Sequence, residues 1–484
     1  MSNVAKNYMY NVVYQVFILV VPLITMPYIA RTLSKTEVGI NGYTNSLIQY
    51  FILFGTIGIA LYGNRAVAYV RDDRQQLSRT FWSIFILKLL TTAVSYLLFL
   101  CFVSIAHRYH FIFILQSIYI ISAAVDVTWL YMGLEDFQKT VVRNMIVKIL
   151  GLIAIFLFVH RPGDLWKYVL VLALSEIIGQ FTMWFYIPKT VRFVKINWSD
   201  IRQHFRPAFT LFLPQISIQI YAVLNKTMLG KLSSADQVAD FDYADKIVKM
   251  LLAIVTSMGV VMLPRISHIF SQGNHEKVRA YLYQSLEFAS YLAFPLMFGI
   301  AAVSRNFTAW FFTDQYHQTG LIIMLISPIV VLIAWSNVIG MQFLMPTGRM
   351  REFTVSVTAG AIVNFLANLV LIGRYQAIGT AFSTLLAEFV VTAVQFMYVY
   401  RDVHVIRLIA LSWKYLFAGL AMFFTVRSIG ETTANHFAVT MIQVAVGIAV
   451  YFALMFLLRA DMNQKIFGMA ARMLGGLLQR RRGK

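Results

Sequence analysis

The sequence predicts an all-α polytopic membrane protein: about fourteen transmembrane helices, set as two six-helix lobes in parallel repeat around a central cavity, plus two extra C-terminal helices. Three observations lead there. Apolar residues make up 59% of the 484 positions and charged residues 13%, with a mean hydropathy of +0.69. Soluble domains sit nearer about 45–50% and about 25%. Apolar runs of about 20 residues, the length of a helical span, recur along the chain. Part of the chain also matches itself at a constant offset of 200.

The first span is expected at 9–30, too long and without the small-residue cleavage site of a removable leader. The first lobe continues with 43–63, 81–106, 109–132, 140–160 and 167–188. The second takes 208–230, 242–264, 283–304, 318–344, 353–373 and 376–399, and the extra pair takes 410–429 and 436–458. Domain limits follow: 1–206 and 207–400 for the lobes, 401–458 for the added helices, 459–484 for a basic tail. That tail sets Ile466, Phe467, Leu474 and Leu478 among Lys465, Arg472 and Arg480–Arg482. It reads as an amphipathic helix on anionic membrane lipid.

An even span count puts both termini on one side. Segments on the side of the N-terminus hold most of the 41 Lys and Arg, among them Arg65, Arg71, Arg74, Arg79, Lys189, Arg192, Lys195, Arg202 and Arg206. Basic residues concentrate on the cytoplasmic side, so both termini are expected there. The same bias accounts for most of the +20 net charge without nucleic acid. No gap between spans holds a folded soluble domain, which excludes a cytosolic kinase, ATPase or glycosyltransferase module. The one cysteine, Cys101, excludes an intramolecular disulfide.

The repeat aligns Val38, Tyr43 and Asn45 with Val238, Tyr243 and Asp245, then Arg65 with Arg265 and Arg79 with Arg279. Six spans separate the copies, so both have one orientation, as in transporters built from parallel repeats with a pathway between the halves.

Seven ionisable residues fall inside expected spans: Lys88, Asp126, Lys148, Glu176, Lys226, Lys249 and Glu388. Each costs about 2.5–3.5 kcal/mol at a helix centre, so they are expected to pair, snorkel or face a wet cavity. With Arg31 and Arg65 at span borders, such a cavity favours an anion such as diphosphate, which a guanidinium fork grips in bidentate fashion. Arg31, Arg65, Lys226 and Lys249 are the first candidates for that role, and Lys88 and Lys148 the second. Gln15, Asn45 and Asn225 are candidates for sugar contact. Glu176, Glu388 and Asp126 are candidates for charge balance or for carrying a coupling proton or sodium ion. Glu176 and Glu388 occupy comparable places in the last spans of the two lobes.

Gly230-Lys231-Leu232-Ser233 lacks the glycine spacing of a phosphate loop, and no zinc-protease or nucleophile-elbow motif occurs. No cofactor or metal is expected. Asp240-Phe241-Asp242 is expected in the loop before span 8, as an acidic cap favoured by the helix dipole.

The stretch Lys6 to Asp73 closely resembles the N-terminus of bacterial polysaccharide repeat-unit flippases (the Wzx type) of the multidrug/oligosaccharidyl-lipid/polysaccharide exporter superfamily. So do Asp126-Val-Thr-Trp129-Leu-Tyr-Met-Gly133-Leu-Glu135-Asp136, Asn225-Lys226-Thr-Met-Leu-Gly230, Ala244-Asp245-Lys246-Ile-Val-Lys249 and Met262-Leu-Pro264-Arg265. Ser34 departs from a usual glycine, and Asn225 from a frequent acid. The resemblance implies a non-enzymatic secondary transporter of the cytoplasmic membrane. Its cargo would be an undecaprenyl-diphosphate oligosaccharide moved between leaflets for capsule, exopolysaccharide or other surface polymer, alongside other polysaccharide-assembly proteins. A cation-coupled drug exporter of the same fold and a membrane polysaccharide polymerase are the alternatives. The excess of intramembrane lysine disfavours the first, and the shortness of the outer loops the second.

Overall fold

The computed structural model describes residues 3–402, 405–432, 436–460, 462 and 463, with the backbone alone for 3–16 and for scattered positions elsewhere. Most of the expected tail helix, and the side chains of Gln15 and Arg265, therefore lie outside the described residues. The chain forms two compact units, Met1–Asp242 and Tyr243–Lys484. This division follows packing, whereas the lobe limit expected at 206/207 follows span count.

Among the described residues the regular structure is helical throughout. The first helices are α1 (Asn3–Thr32), α2 (Lys35–Thr56), α3 (Ile59–Val70), α4 (Arg74–Ile105), α5 (His110–Val125), α6 (Thr128–Gly133), α7 (Phe137–Phe158), α8 (Leu165–Trp184), α9 (Ile187–Thr190) and α10 (Trp198–Leu232). Then come α11 (Ala235–Ser271), α12 (His275–Phe311), α13 (His317–Ile326), α14 (Ile329–Ile339), a π-helical turn (Gly340–Leu344), α15 (Met350–Val399), α16 (Val405–Thr432) and α17 (Phe437–Leu457). Helix occupies the place of every expected span. By length and apolarity, eight helices among the described residues can cross a membrane, or nine with the bent pair around Ser327–Pro328. The other expected spans fall on α1, α10, α11, α16 and one half of α15.

A straight 50-residue helix would reach about 75 Å, more than twice the bilayer core. Instead α15 breaks at Gln376, with φ 51° and ψ −127°. Its halves run antiparallel: Gln395 Nε2 donates to Ser356 Oγ at 3.1 Å, and Gly360 lies against Val391.

The offset-200 repeat is present in the backbone. α1 ends at Thr32 and α10 at Leu232; α2 begins at Lys35 and α11 at Ala235. The junctions share their bonds: Leu33 N–H to Ile29 O and Ser233 N–H to Leu229 O, both 2.9 Å, then Val38 N–H to Ser34 O and Val238 N–H to Ser234 O, both 3.2 Å. Ser34 also starts α2 through a capping box with Glu37, which satisfies two free N–H groups. Glu176 and Glu388 share a register too, each eleven residues past the first residue of its helical segment, Leu165 and Ala377.

The first unit is centred on Phe81, Ile84, Trp129, Leu130 and Tyr131, all at most 1% exposed. α5 and α6 separate at Asp126–Val127, and this lets the Trp129 ring stack on Phe81 (centroids 5.5 Å) and lie over Gly63 of α3. In the second unit, α16 and α17 pack on α12. Tyr415 Oη donates to Glu287 at 3.2 Å and Tyr451 Oη to the Tyr291 carbonyl at 2.8 Å.

Candidate functional site

The first unit carries a polar seam where α2 and α3 face α10 and the start of α11. At one end it is shut. Gly39 meets the backbone of Ala235 so closely that a Cβ would sit 1.7 Å from its carbonyl oxygen; only glycine permits this approach. Around that contact, Lys35 Nζ pairs with Asp240 at 2.6 Å, Lys226 pairs with Asp242, and Thr36 Oγ1 donates to Asp236 at 2.5 Å. Asp240 and Asp242 are buried, at 0% and 3% exposure. One turn deeper, Ser46 and Thr227 hydroxyls bond at 2.9 Å, and Gln116 Nε2 donates to Asn41 at 3.0 Å.

Past this end the seam opens into two cavities. The first, about 240 Å³, is lined by Gln49, Thr56, Gly58, Phe212, Gln219 and Val223. The left-handed pair Ile57 (φ 36°) and Gly58 (φ 70°) breaks α2 from α3 here, and Gly58 lies against the backbone of Ala208 and Phe212. The second, about 570 Å³, is lined by Tyr62, Arg65, Tyr69, Arg206, Pro207 and Thr210. Two guanidinium groups thus border one groove. Arg65 is held by its Nε bond to Tyr69 Oη (3.2 Å) and by lying over that ring, 5.6 Å from its centroid. Beside the groove Tyr62 Oη bonds His204 Nδ1 at 2.6 Å. Burial pushes the His204 imidazole down, and the Asp200 carboxylate partly offsets that. Asp200 itself pairs with Arg79 at 2.9 Å.

The other expected residues are placed as follows. Lys88, 2% exposed, donates to the Asp126 backbone oxygen at 2.8 Å and to its carboxylate at 3.3 Å. Asp126 also accepts from Thr128 N and Oγ1. This pair ties α4 to the α5–α6 break and satisfies a carbonyl freed by it, so Lys88 is brought to Asp126 and not to the seam. Lys249 is exposed and pairs within its own helix with Asp245 at 2.8 Å. Arg31 is exposed at the end of α1 and donates to Pro27 O at 3.3 Å. Lys148 is exposed on α7. Asn45 is half-buried on α2, Asn225 is buried on α10, and the backbone at Gln15 is helical. Glu176 accepts from Gln180 at 3.1 Å, and Gln180 in turn accepts from Arg143 of α7 at 2.5 Å. Glu388 is buried, at 8% exposure.

Two features escape the sequence reading. Asp240 and Asp242 do not cap a helix from a loop. α11 starts seven residues earlier than expected, so both lie past its first turn, where no free N–H remains, and they serve as partners for Lys35 and Lys226. Arg206 stands out only as one of several loop cations in the sequence, yet it faces the same groove as Arg65.

Comparison with known proteins agrees with this architecture. The family model described as "Polysaccharide biosynthesis protein" matches residues 4–270. A putative O-antigen transporter of Escherichia coli (strain K12) is 22% identical over 401 residues, covering 81% of this chain and 96% of that protein. Among solved structures, the lipid II flippase MurJ in an inward closed conformation aligns with a TM-score of 0.72 at 16% identity, over 95% of this chain and 99% of that one. A multidrug resistance MATE family transporter of the MOP superfamily, inward-facing, aligns with a TM-score of 0.62 at 13% identity, over 81% and 98%. These likenesses share the fold, and the resemblance to polysaccharide repeat-unit flippases of that superfamily stands. The matched model spans more than half of the sequence, from α1 to the last turns of α11: the chain belongs to the polysaccharide biosynthesis protein family.

Proposed function

We propose that this chain is a secondary transporter that moves an undecaprenyl-diphosphate-linked oligosaccharide from the inner to the outer leaflet by alternating access, for assembly of a cell-surface polysaccharide. The observation that carries the reading is the seam of the first unit. It has a two-arginine groove at one end and an ion-paired, glycine-tight closure at the other. Two relatives point the same way: one is named a putative O-antigen transporter, and the structural likeness is to a lipid II flippase. With both termini cytoplasmic, the groove opens inward and the closure lies outward. Arg65 and Arg206 then meet the diphosphate first, since a guanidinium supplies parallel donors to phosphate oxygens. Gln49, Thr56 and Gln219 offer neutral polar contacts further along. Release outward needs the Lys35–Asp240 and Lys226–Asp242 pairs to part. A diphosphate reaching Lys226 competes with Asp242 for the same ammonium, which gives the substrate a differential hold on the open state. Glu176 and Glu388 are the carboxylates assigned to ion coupling, and Gln180 and Arg143 tie Glu176 into α7–α8.

The test is reconstitution of the full chain into sealed vesicles with a short diphosphate-linked undecaprenyl oligosaccharide, scoring its exposure to an impermeant probe. Protein-dependent exposure, lost in Arg65→Ala and reduced in Arg206→Ala with folded protein, is the expected result. Wild-type exposure by Arg65→Ala would remove Arg65 from the pathway. No exposure with any oligosaccharide would return the weight to a drug exporter of the same fold.

A further inference from the structure

The second unit holds a polar cavity that the proposed pathway does not use. It measures about 490 Å³ and lies where α12 ends, α13 begins and α16 ends. That volume falls in the range of small-molecule sites, about 300–1,000 Å³. Arg305, His317, Arg427 and Glu431 line it, with Leu321 and Met324 on one flank. Its charges do not cancel. Glu431 is held by Arg427 Nε at 3.0 Å, and Arg427 also donates to Met324 Sδ at 3.4 Å. Arg305 is exposed and, among the described residues, its guanidinium has no hydrogen-bonded or ion-paired partner. Glycine lets the helices of the cavity wall pack closely. A Cβ on Gly430 would sit 2.4 Å from Asn306 Nδ2, and one on Gly320 would sit 2.7 Å from Thr308 Oγ1.

We propose that this cavity binds the phosphate headgroup of an anionic glycerophospholipid. Two guanidinium groups against one carboxylate call for an added anion, and phosphate suits their forked donors. A bare phosphate has no use for the thioether and isobutyl flank. Leu321 is 41% exposed at the rim, where the glycerol and first acyl carbons of a lipid would lie. The helix ends put the cavity at headgroup level, on the outer side in the expected topology. The proposal does not depend on the transported cargo.

The test uses the full chain, stripped of lipid in neutral detergent, with native mass spectrometry counting bound lipid during titration with phosphatidylglycerol or phosphatidylcholine. Phosphatidylglycerol is expected to bind at least about tenfold tighter, the scale of one charge-assisted contact. Arg305→Gln should lose about that factor and Arg305→Lys should keep only part of it, since an ammonium keeps the charge and loses the fork, while phosphatidylcholine binding stays unchanged. Arg401→Gln, outside the cavity, controls for general surface charge and should change nothing. Competition by soluble glycerol 3-phosphate would show that the phosphate alone is recognised; its failure to compete would show that the acyl flank is needed. Should Arg427→Gln unfold the protein by freeing Glu431, Arg305→Gln still decides, since it breaks no described bond. Equal binding of the two lipids, or Arg305→Gln binding phosphatidylglycerol as tightly as wild type, overturns the proposal.

Discussion

Thr36 donates its hydroxyl to the Asp236 carboxylate at 2.5 Å, and the two residues stand 200 positions apart, the offset of the internal repeat. Equivalent positions of two copies touch only where the copies meet face to face. Gly39 against Ala235 and Gly42 against Val238 continue the same meeting along α2 and α11. The repeat is therefore more than a trace of ancestry. It builds the closed end of the seam from two like helix starts.

If that end must open for cargo to leave, joining it covalently stops transport. Thr36→Cys with Asp236→Cys, in a Cys101→Ser background, should be joined by a short bis-methanethiosulfonate linker that reductant cleaves, because the native side chains already touch. Vesicle transport should fall to background and return on adding reductant. Undiminished transport by protein shown by gel shift to be cross-linked would mean that the closed end need not move.

Lys88 and Asp126 separate a structural role from a substrate role. Removing one partner of a buried pair costs about 3–5 kcal/mol, whereas removing both is often close to neutral. Lys88→Met should markedly lower the unfolding temperature in detergent, and Lys88→Met with Asp126→Asn should recover much of it. Transport should follow stability in both. A double variant that regains stability but transports nothing would instead assign Lys88 to the cargo.

The helices and the kink between the halves of α15 are legible in the sequence, because each leaves a local mark: an apolar run or a polar interruption. The repeat marks the two junctions as equivalent, but the helices after them begin at Lys35 and Ala235, eight and seven residues before the spans expected from 43 and 242. The pairing of charges is not legible. Lys35 and Asp240 lie over 200 residues apart, and nothing near either names the other. Asp236, Asp240 and Asp242 give the first turns of α11 the polarity of a loop, so the apolar pattern places the span from 242, whereas the helix begins at Ala235. Their cost in a helix is met by Thr36 and Lys35 of α2 and Lys226 of α10, which come together only once the chain is folded. Arg206 was hidden likewise: the charge bias that sets orientation supplies many cytoplasmic cations, and only folding selects the one beside Arg65.

His204 gives the groove a pH dependence. Burial holds its imidazole below the ordinary value, more strongly than Asp200 raises it. The unfolded chain therefore takes a proton near pH 6.5 that the folded chain refuses. Stability should be flat above about pH 6.5 and decline as the pH falls from there towards the lower folded value. Unfolding temperatures from pH 7.5 to 5 should show this slope in the wild type and a weaker one in His204→Gln. Identical slopes would place the titrating group elsewhere.

Gly63 and Trp129 link the α6 motif to the groove. A Cβ at position 63 would sit 2.5 Å from the Trp129 ring, and that ring is 1% exposed and stacked on Phe81, so it cannot swing aside. The helix must move instead, and Arg65 is only two residues further along α3. Overpacking of this kind costs about 1–3 kcal/mol. Gly63→Ala should lower the unfolding temperature by several degrees and displace the groove. Trp129→Phe, with a smaller ring, should relieve the contact, so that Gly63→Ala/Trp129→Phe transports better than Gly63→Ala alone. The two effects adding independently would show that the ring and the α3 backbone are not in contact, and would detach this motif from the positioning of Arg65.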